Sequence, residues 1–303
     1  LVEAEAAAEV AAAEKIARAA PDPHAAVSAR IPESAAERAR SEYRGKPGEG
    51  ALTLGLAMRE VLRHHLAADP RVSLFGQDIA DPKGDVFGVT KGLSTQFPGR
   101  VVNAPLAEST IVGKSVGRAL AGGRPVAFLQ FADFLPIAFN QIATELGSMH
   151  WRTNGAWTAP VIVMISCGAY RPGLGPFHAH TFESVAAHVP GVDVVMPSNA
   201  ADAAGLLNAA FASGRPTLFF YPKICLNDRD AATSSDVADQ WVAPGRARLL
   251  TRGANLTLVT WGGTIPQCRQ AADALIAAGA GVDLIDLRSL VPWDKAAVVD
   301  SAR

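Results

Sequence analysis

Long apolar runs, paired cysteines, a surplus of either charge and a glycine-rich phosphate fingerprint are all missing from this 303-residue sequence. No apolar stretch approaches the roughly 20 residues that a bilayer-spanning helix needs. The amino terminus also lacks a basic-then-apolar signal pattern, so no membrane partner is expected. Cys167, Cys225 and Cys268 lie far apart and form no CxxC pair. An odd set so spaced argues against both a disulfide framework and a zinc site, and for buried, reduced thiols. These absences together predict a soluble, cytoplasmic protein. The formal net charge is -1 with both signs interspersed, which leaves no basic face for a phosphate backbone, and no nucleic acid partner is expected. GxGxxG does not occur, and the GLG at 173–175 is too short to count as a phosphate fingerprint.

What is present is ample apolar material, 49% of residues against 19% charged, enough for a substantial core in two domains. Residues 1–20 are almost all Ala, Glu, Val, Lys and Arg, good helix formers, and Pro21 and Pro23 then stop any helix. Residues 21–48 lack apolar periodicity and read as a linker, so 1–48 is a helical segment plus linker. Short apolar runs follow at 72–76, 101–106, 125–131, 160–166, 192–197 and 217–222. They are continuous rather than alternating, as strands covered on both faces are, and the segments between them are long enough for crossover helices. The expected fold class is α/β: an open, mostly parallel sheet with helices on both faces over 49–223. Helices are expected at Thr53–Ala68, at Pro136 to about Trp151 and at Asn199–Ala212. Residues 224–248 read as a second linker, and 249–303 begin a second, smaller α/β unit with two clear strands, which looks incomplete. The first residue is Leu, which predicts that the chain begins inside a longer product or after processing.

The chemistry-bearing residues sit where strands run out. In VVNAPLAESTIVGKSVGRALAGG, a strand ends near Leu106, Glu108 stands at the turn, and Ser109 or Thr110 can cap a helix bearing Gly113 and Gly117 on one face. Ligands of open α/β sheets bind at such carboxyl ends, although a Glu at a helix start is ordinarily a charge–dipole contact. APLAESTIVG, followed by GGRPVAFLQFADFLPIAFNQI, resembles the pyrimidine-binding domain of the β subunits of the pyruvate and branched-chain 2-oxo acid dehydrogenases. The similarity runs from about Leu52 to Lys223 and resumes at LTLVTWGGT and DLRSLVPWD, the latter as the start of a transketolase C-terminal-type domain.

The resemblance implies that Glu108 hydrogen-bonds a pyrimidine ring nitrogen of thiamine diphosphate and activates the cofactor. Burial in an apolar site suits this by favouring a carboxyl that can hold a proton. It also implies that Phe134 packs against the pyrimidine, with Leu106 and Gln130 as further candidates for the pocket wall. His178 falls on the family's active-site histidine, with an acid, orienting or lipoyl-side role that imidazole chemistry suits. Three positions depart from the pattern: Ala179 stands where Ser is usual, His180 where Gln is usual, and Gln77 where a Glu is usual. Read without the family, His178 and His180 could be a metal pair, but no third ligand is evident; His188 reads as structural.

No Gly-Asp-Gly occurs in the chain, so the resemblance implies that Mg2+ and the diphosphate are held by an α subunit, or by an α region fused upstream, in an α2β2-type assembly. The activity implied is decarboxylation of a 2-oxo acid with acyl transfer to a lipoyl acyltransferase partner. Alternatives are transfer of an acyl or two-carbon unit to a carrier protein, a non-catalytic β-like scaffold, and, more remotely, transketolase or acetoin-cleaving chemistry.

Overall fold

The computed structural model describes residues 2–22 and 28–303; Leu1 and the helix-stopping Pro23 lie outside the described residues. Among the described residues, ten strands form: β1 Val72–Gly76, β2 Val101–Asn103, β3 Arg124–Leu129, β4 Ile162–Cys167, β5 Asp193–Val195, β6 Thr217–Pro222, β7 Arg248–Thr251, β8 Leu256–Thr260, β9 Val282–Asp286 and β10 Ser289–Val291. A seven-stranded sheet has the order β10-β5-β6-β4-β3-β1-β2, and a three-stranded sheet the order β7-β9-β8. Strands β1 to β6 pair parallel with one another, and β10 alone joins the large sheet antiparallel, against β5. The mostly parallel sheet and the smaller second unit therefore stand as the apolar runs predict.

Helices cover both faces because each carries an apolar stripe. On one face, Leu54–Ala68 buries Leu54, Ala57, Met58, Val61, Leu62 and Leu66. That spacing keeps one side of the helix against Ala200–Ala212, whose Asn199 cap accepts from the Asp202 amide. Each fully buried Leu on that stripe contributes about 1.5–3 kcal/mol. On the other face, Glu108–Leu120 buries Ile111, Val112 and Val116 against a second core that includes Ala127 and Leu129 of β3.

Four local readings are corrected. Thr53 precedes its helix without a side-chain capping bond. The helix expected from Pro136 to Trp151 is broken into a 3₁₀ segment Ala132–Ala138, a π segment Gln141–Leu146 and a short α turn Met149–Arg152, with Ile137 exposed. Pro136 has no N–H to give, and the Thr144 and Ser148 hydroxyls bond back to the carbonyls of Asn140 and Thr144, which loosens the regular ladder. The second unit has three strands of its own rather than two, since short, half-buried β7 carries no readable apolar pattern. Cys268 is only partly buried.

The two stretches expected as linkers lie against the first unit instead of clear of it. Arg30 donates to Asp193 at 2.6 Å, Arg215 bridges Asp193 and Glu37 at 2.7 Å each, and the Tyr43 and Trp241 backbones bond to each other. Leu226, Val237 and Val242 are buried in the larger core. Residues 28–48 are held by ion pairs, which leave no hydrophobic period to read. The helix Val2–Ala19, by contrast, buries none of its residues.

Asp286, at the end of β9, accepts from Ser198 Oγ at 2.5 Å and from the Arg288 amide at 3.0 Å. Burial, with the Asp202 carboxylate close by, raises its pKa to about 7. The folded state thus binds this proton more tightly than the unfolded chain does. The stabilisation is complete below about pH 4 and is lost as pH rises through about 7. The melting temperature is expected to fall between about pH 4 and about pH 7, and to fall less in Asp286→Asn. Equal slopes in the two proteins would sink this assignment.

Candidate active site

Chain order sets the place of the site. After β1 the chain crosses outward to β2; after β3, which lies on the other side of β1, it goes the opposite way to β4. The carboxyl ends of β1 and β3 therefore flank a topological switch point, the crevice where open α/β sheets bind ligands. The two ends come close: Gly76, last in β1, lies opposite Phe128, and a Cβ there would meet the Phe128 Cβ at 2.5 Å. Only glycine permits that approach.

Gln77 follows Gly76 and Gln130 follows β3, and both are buried. The Gln77 Nε2 donates to Glu108 Oε1 at 2.8 Å, and the Gln130 amide donates to the Gln77 carbonyl. The Val86 amide in turn donates to Gln130 Oε1 at 3.5 Å. Glu108 is the first residue of the helix Glu108–Leu120, not a turn residue ahead of a Ser or Thr cap, and it is 6% exposed. The helix amino terminus favours negative charge there. Among the described residues, its Oε1 accepts from Gln77, whereas no hydrogen bond reaches Oε2. The loop over this contact is organised by buried Asp85, which accepts from the amides of Phe87 and Val89 at 3.2 Å each. Burial pushes the Asp85 carboxyl up against those bonds.

Leu106 is exposed on the loop leading to Glu108. Phe134 is half-buried, its ring centroid 5.8 Å from that of Phe131 and 5.9 Å from that of His178. The His178 ring also meets Phe131 edge-on, at 4.5 Å. Structure thus brings Phe134 and His178 together, and joins both to the Glu108 pair through the succession Gln130-Phe131. Gln130 is spent within the chain, fixing the residue that touches Glu108.

The His180 Nδ1 lies 2.6 Å from Asp133 Oδ1, which also accepts from the amides of Ala179 and His180 at 3.3 Å each. Burial opposes the Asp133 carboxylate, but the bonds from His180 and Ala179 outweigh it and hold its carboxyl below the ordinary range. Lys223, at the end of β6, donates to the His178 carbonyl at 2.6 Å and stands 4.9 Å above the Phe131 ring. Burial pulls its ammonium down. Among the described residues, no group of three or more His, Cys, Asp or Glu side chains is set to hold a metal ion.

Phe131, Asp133 and Lys223 escaped the sequence reading. Their common signal was position: each stands within four residues of the carboxyl end of a strand that the apolar runs already marked.

Comparison with known proteins defines the class. Residues 51–228 match the transketolase pyrimidine-binding domain, and residues 245–303 the transketolase C-terminal domain. A structure described as "Split gene transketolase, inactive beta4 tetramer" shares the fold at a TM-score of 0.65, with 23% identity over 84% of this chain and 77% of that one. The "2-oxoisovalerate dehydrogenase subunit beta" of Bacillus subtilis (strain 168) is 38% identical over 251 residues, 82% of this chain and 74% of that protein. The "Pyruvate dehydrogenase E1 component subunit beta" of Leifsonia xyli subsp. xyli is 35% identical over 268 residues, 88% of this chain and 78% of the relative. Within the transketolase-type class, the chain belongs to the family of 2-oxo acid dehydrogenase β subunits.

Proposed function

We propose that this chain is the β part of a thiamine-diphosphate-dependent enzyme that decarboxylates a 2-oxo acid and passes the acyl group to a lipoyl group on an acyltransferase partner. One observation carries the reading. A buried carboxylate at the switch point has one oxygen engaged by Gln77 and none of the described residues bonded to the other. That is what a weakly basic ring nitrogen requires: an acid group on a largely buried side chain, with one oxygen free to meet it.

In this reading Oε2 of Glu108 holds and returns a proton at the pyrimidine nitrogen, while Gln77 keeps the carboxylate turned toward it. Phe134 offers an aromatic surface to the ring, and exposed Leu106 meets what covers the site from outside. Thiamine diphosphate, once bound, supplies the carbon nucleophile that attacks the 2-oxo acid. Its diphosphate and Mg2+ belong to an α subunit or a fused α region, completing an α2β2-type cytoplasmic assembly.

The test is a decarboxylation assay of the full-length protein with its diphosphate-binding partner across pyruvate and branched 2-oxo acids. Acyl loading is followed on a lipoyl domain and on a phosphopantetheinyl carrier in parallel. Loading of the lipoyl domain is expected; loading of the carrier alone, or no decarboxylation, would refute the proposal. Gln77→Leu removes the bond that orients Glu108, and its expected cost is about 1.5–3 kcal/mol, or roughly 10–100-fold in turnover. Unchanged turnover in that variant would show that Gln77 does not orient the carboxylate.

A further inference from the structure

Four of the six backbone polar groups of residues 178–180 are engaged. The His178 carbonyl accepts from Lys223, the Ala179 and His180 amides both donate to Asp133, and the His180 carbonyl accepts from the Gly168 amide at 2.9 Å. The His180 ring adds a further bond to the same Asp133 oxygen. The His178 ring, in contrast, takes part in no hydrogen bond among the described residues; the Phe131 and Phe134 rings stand nearly perpendicular to it.

We propose that Lys223 and Asp133 are positioning residues for His178: a cation draws on the carbonyl of the loop and an anion on its next two amides, so the peptide is fixed while the imidazole nitrogens stay free. This rests on the assignment of His178 to the active site. Two features show that the arrangement is built for this end. Lys223 is 4% exposed, and a buried ammonium persists only where something compensates it. Its single hydrogen bond among the described residues is to the His178 carbonyl, and the Phe131 face that helps to offset its charge is the ring that the His178 edge contacts. Asp133, its side chain 2% exposed, spends one oxygen wholly on this loop. His180, which departs from the family pattern, thereby acquires a role: its ring ties the loop to Asp133.

Hydrogen exchange and kinetics on the full-length protein assembled with its partner test this. In Asp133→Ala the amides of Ala179 and His180 are expected to exchange at least about tenfold faster, the loss of a bond worth roughly 1.4 kcal/mol. Asp133→Asn, which keeps an acceptor, is expected to restore much of that protection. Lys223→Met is expected to lower kcat about tenfold or more, with the thiamine diphosphate dissociation constant changed less than about twofold, because the Gln77–Glu108 contact is untouched. Unaltered exchange in folded Asp133→Ala, or a parallel loss of kcat and cofactor affinity in Lys223→Met, would overturn the proposal. His178→Ala separates the two levels. Full turnover in that variant would remove His178 from the site while leaving the exchange result to report on the clamp.

Discussion

Exchange of Glu108 for glutamine is expected to lower turnover of the assembled enzyme by about two to four orders of magnitude, the range over which a positioned acid–base group acts. The substitution is nearly isosteric. Its amide oxygen still accepts from Gln77 Nε2, as Glu108 Oε1 does at 2.8 Å, so the local structure is retained. What is lost is the ability to take up and return a proton at the other position. Thermal unfolding is therefore expected within a few degrees of the parent, and cofactor affinity is expected to change far less than turnover. Proton exchange at the reactive cofactor carbon, followed by NMR after acid quench, reads the step directly. If Glu108→Gln exchanged that proton at the parent rate, the acid–base assignment would fail, whatever happened to overall turnover.

Glu108 was singled out through the resemblance of APLAESTIVG to the family pattern; its place at a helix start, taken alone, marks an ordinary charge–dipole contact. The continuous apolar runs at 125–131, 160–166 and 217–222 announced β3, β4 and β6, because strands covered on both faces carry the signal in every residue. β7 and β10 were not readable as separate strands. Each is short, and β10 owes its existence to pairing with β5, nearly a hundred residues earlier. The site divides in the same way. Glu108, Phe134 and His178 were proposed from the family resemblance of local stretches, whereas Lys223 enters only because β6 lies beside β4 and sets its end under the loop of His178. The amide contact from Gln77 to Glu108 spans 31 residues and depends on Gly76 letting two strand ends touch. Gln77 was visible as a departure, but its consequence was not.

The same limit applies with most force to Arg288, whose replacement by Met is expected to destabilise the protein by about 3–5 kcal/mol. Arg288 is 1% exposed. It donates to both Glu42 oxygens at 3.0 Å, to Asp202 Oδ1 at 3.2 Å, and to the carbonyls of Arg246 and Ala247 at 2.9 and 3.3 Å. One guanidinium thus joins the early segment, the helix Ala200–Ala212 and the chain entering β7. Methionine fills much of the space but leaves Asp202, with no side-chain exposure, with Arg44 at 2.8 Å as its cation and Asn199 Nδ2 at 2.6 Å as a neutral donor. Weaker compensation of a fully buried charge is what makes breaking such a network costly, more than the loss of attraction itself. Lysine should rescue little, since a single ammonium cannot reproduce the planar fork that serves five acceptors. Glu42→Gln should cost much less, because the Glu42 side chain is 39% exposed and water can take its place. Urea unfolding of the three variants orders them as Arg288→Met, Arg288→Lys, then Glu42→Gln in decreasing loss. A loss below about 1 kcal/mol for Arg288→Met would mean that the junction of the two units is held by β10 and the apolar contacts, with the ion network contributing only orientation.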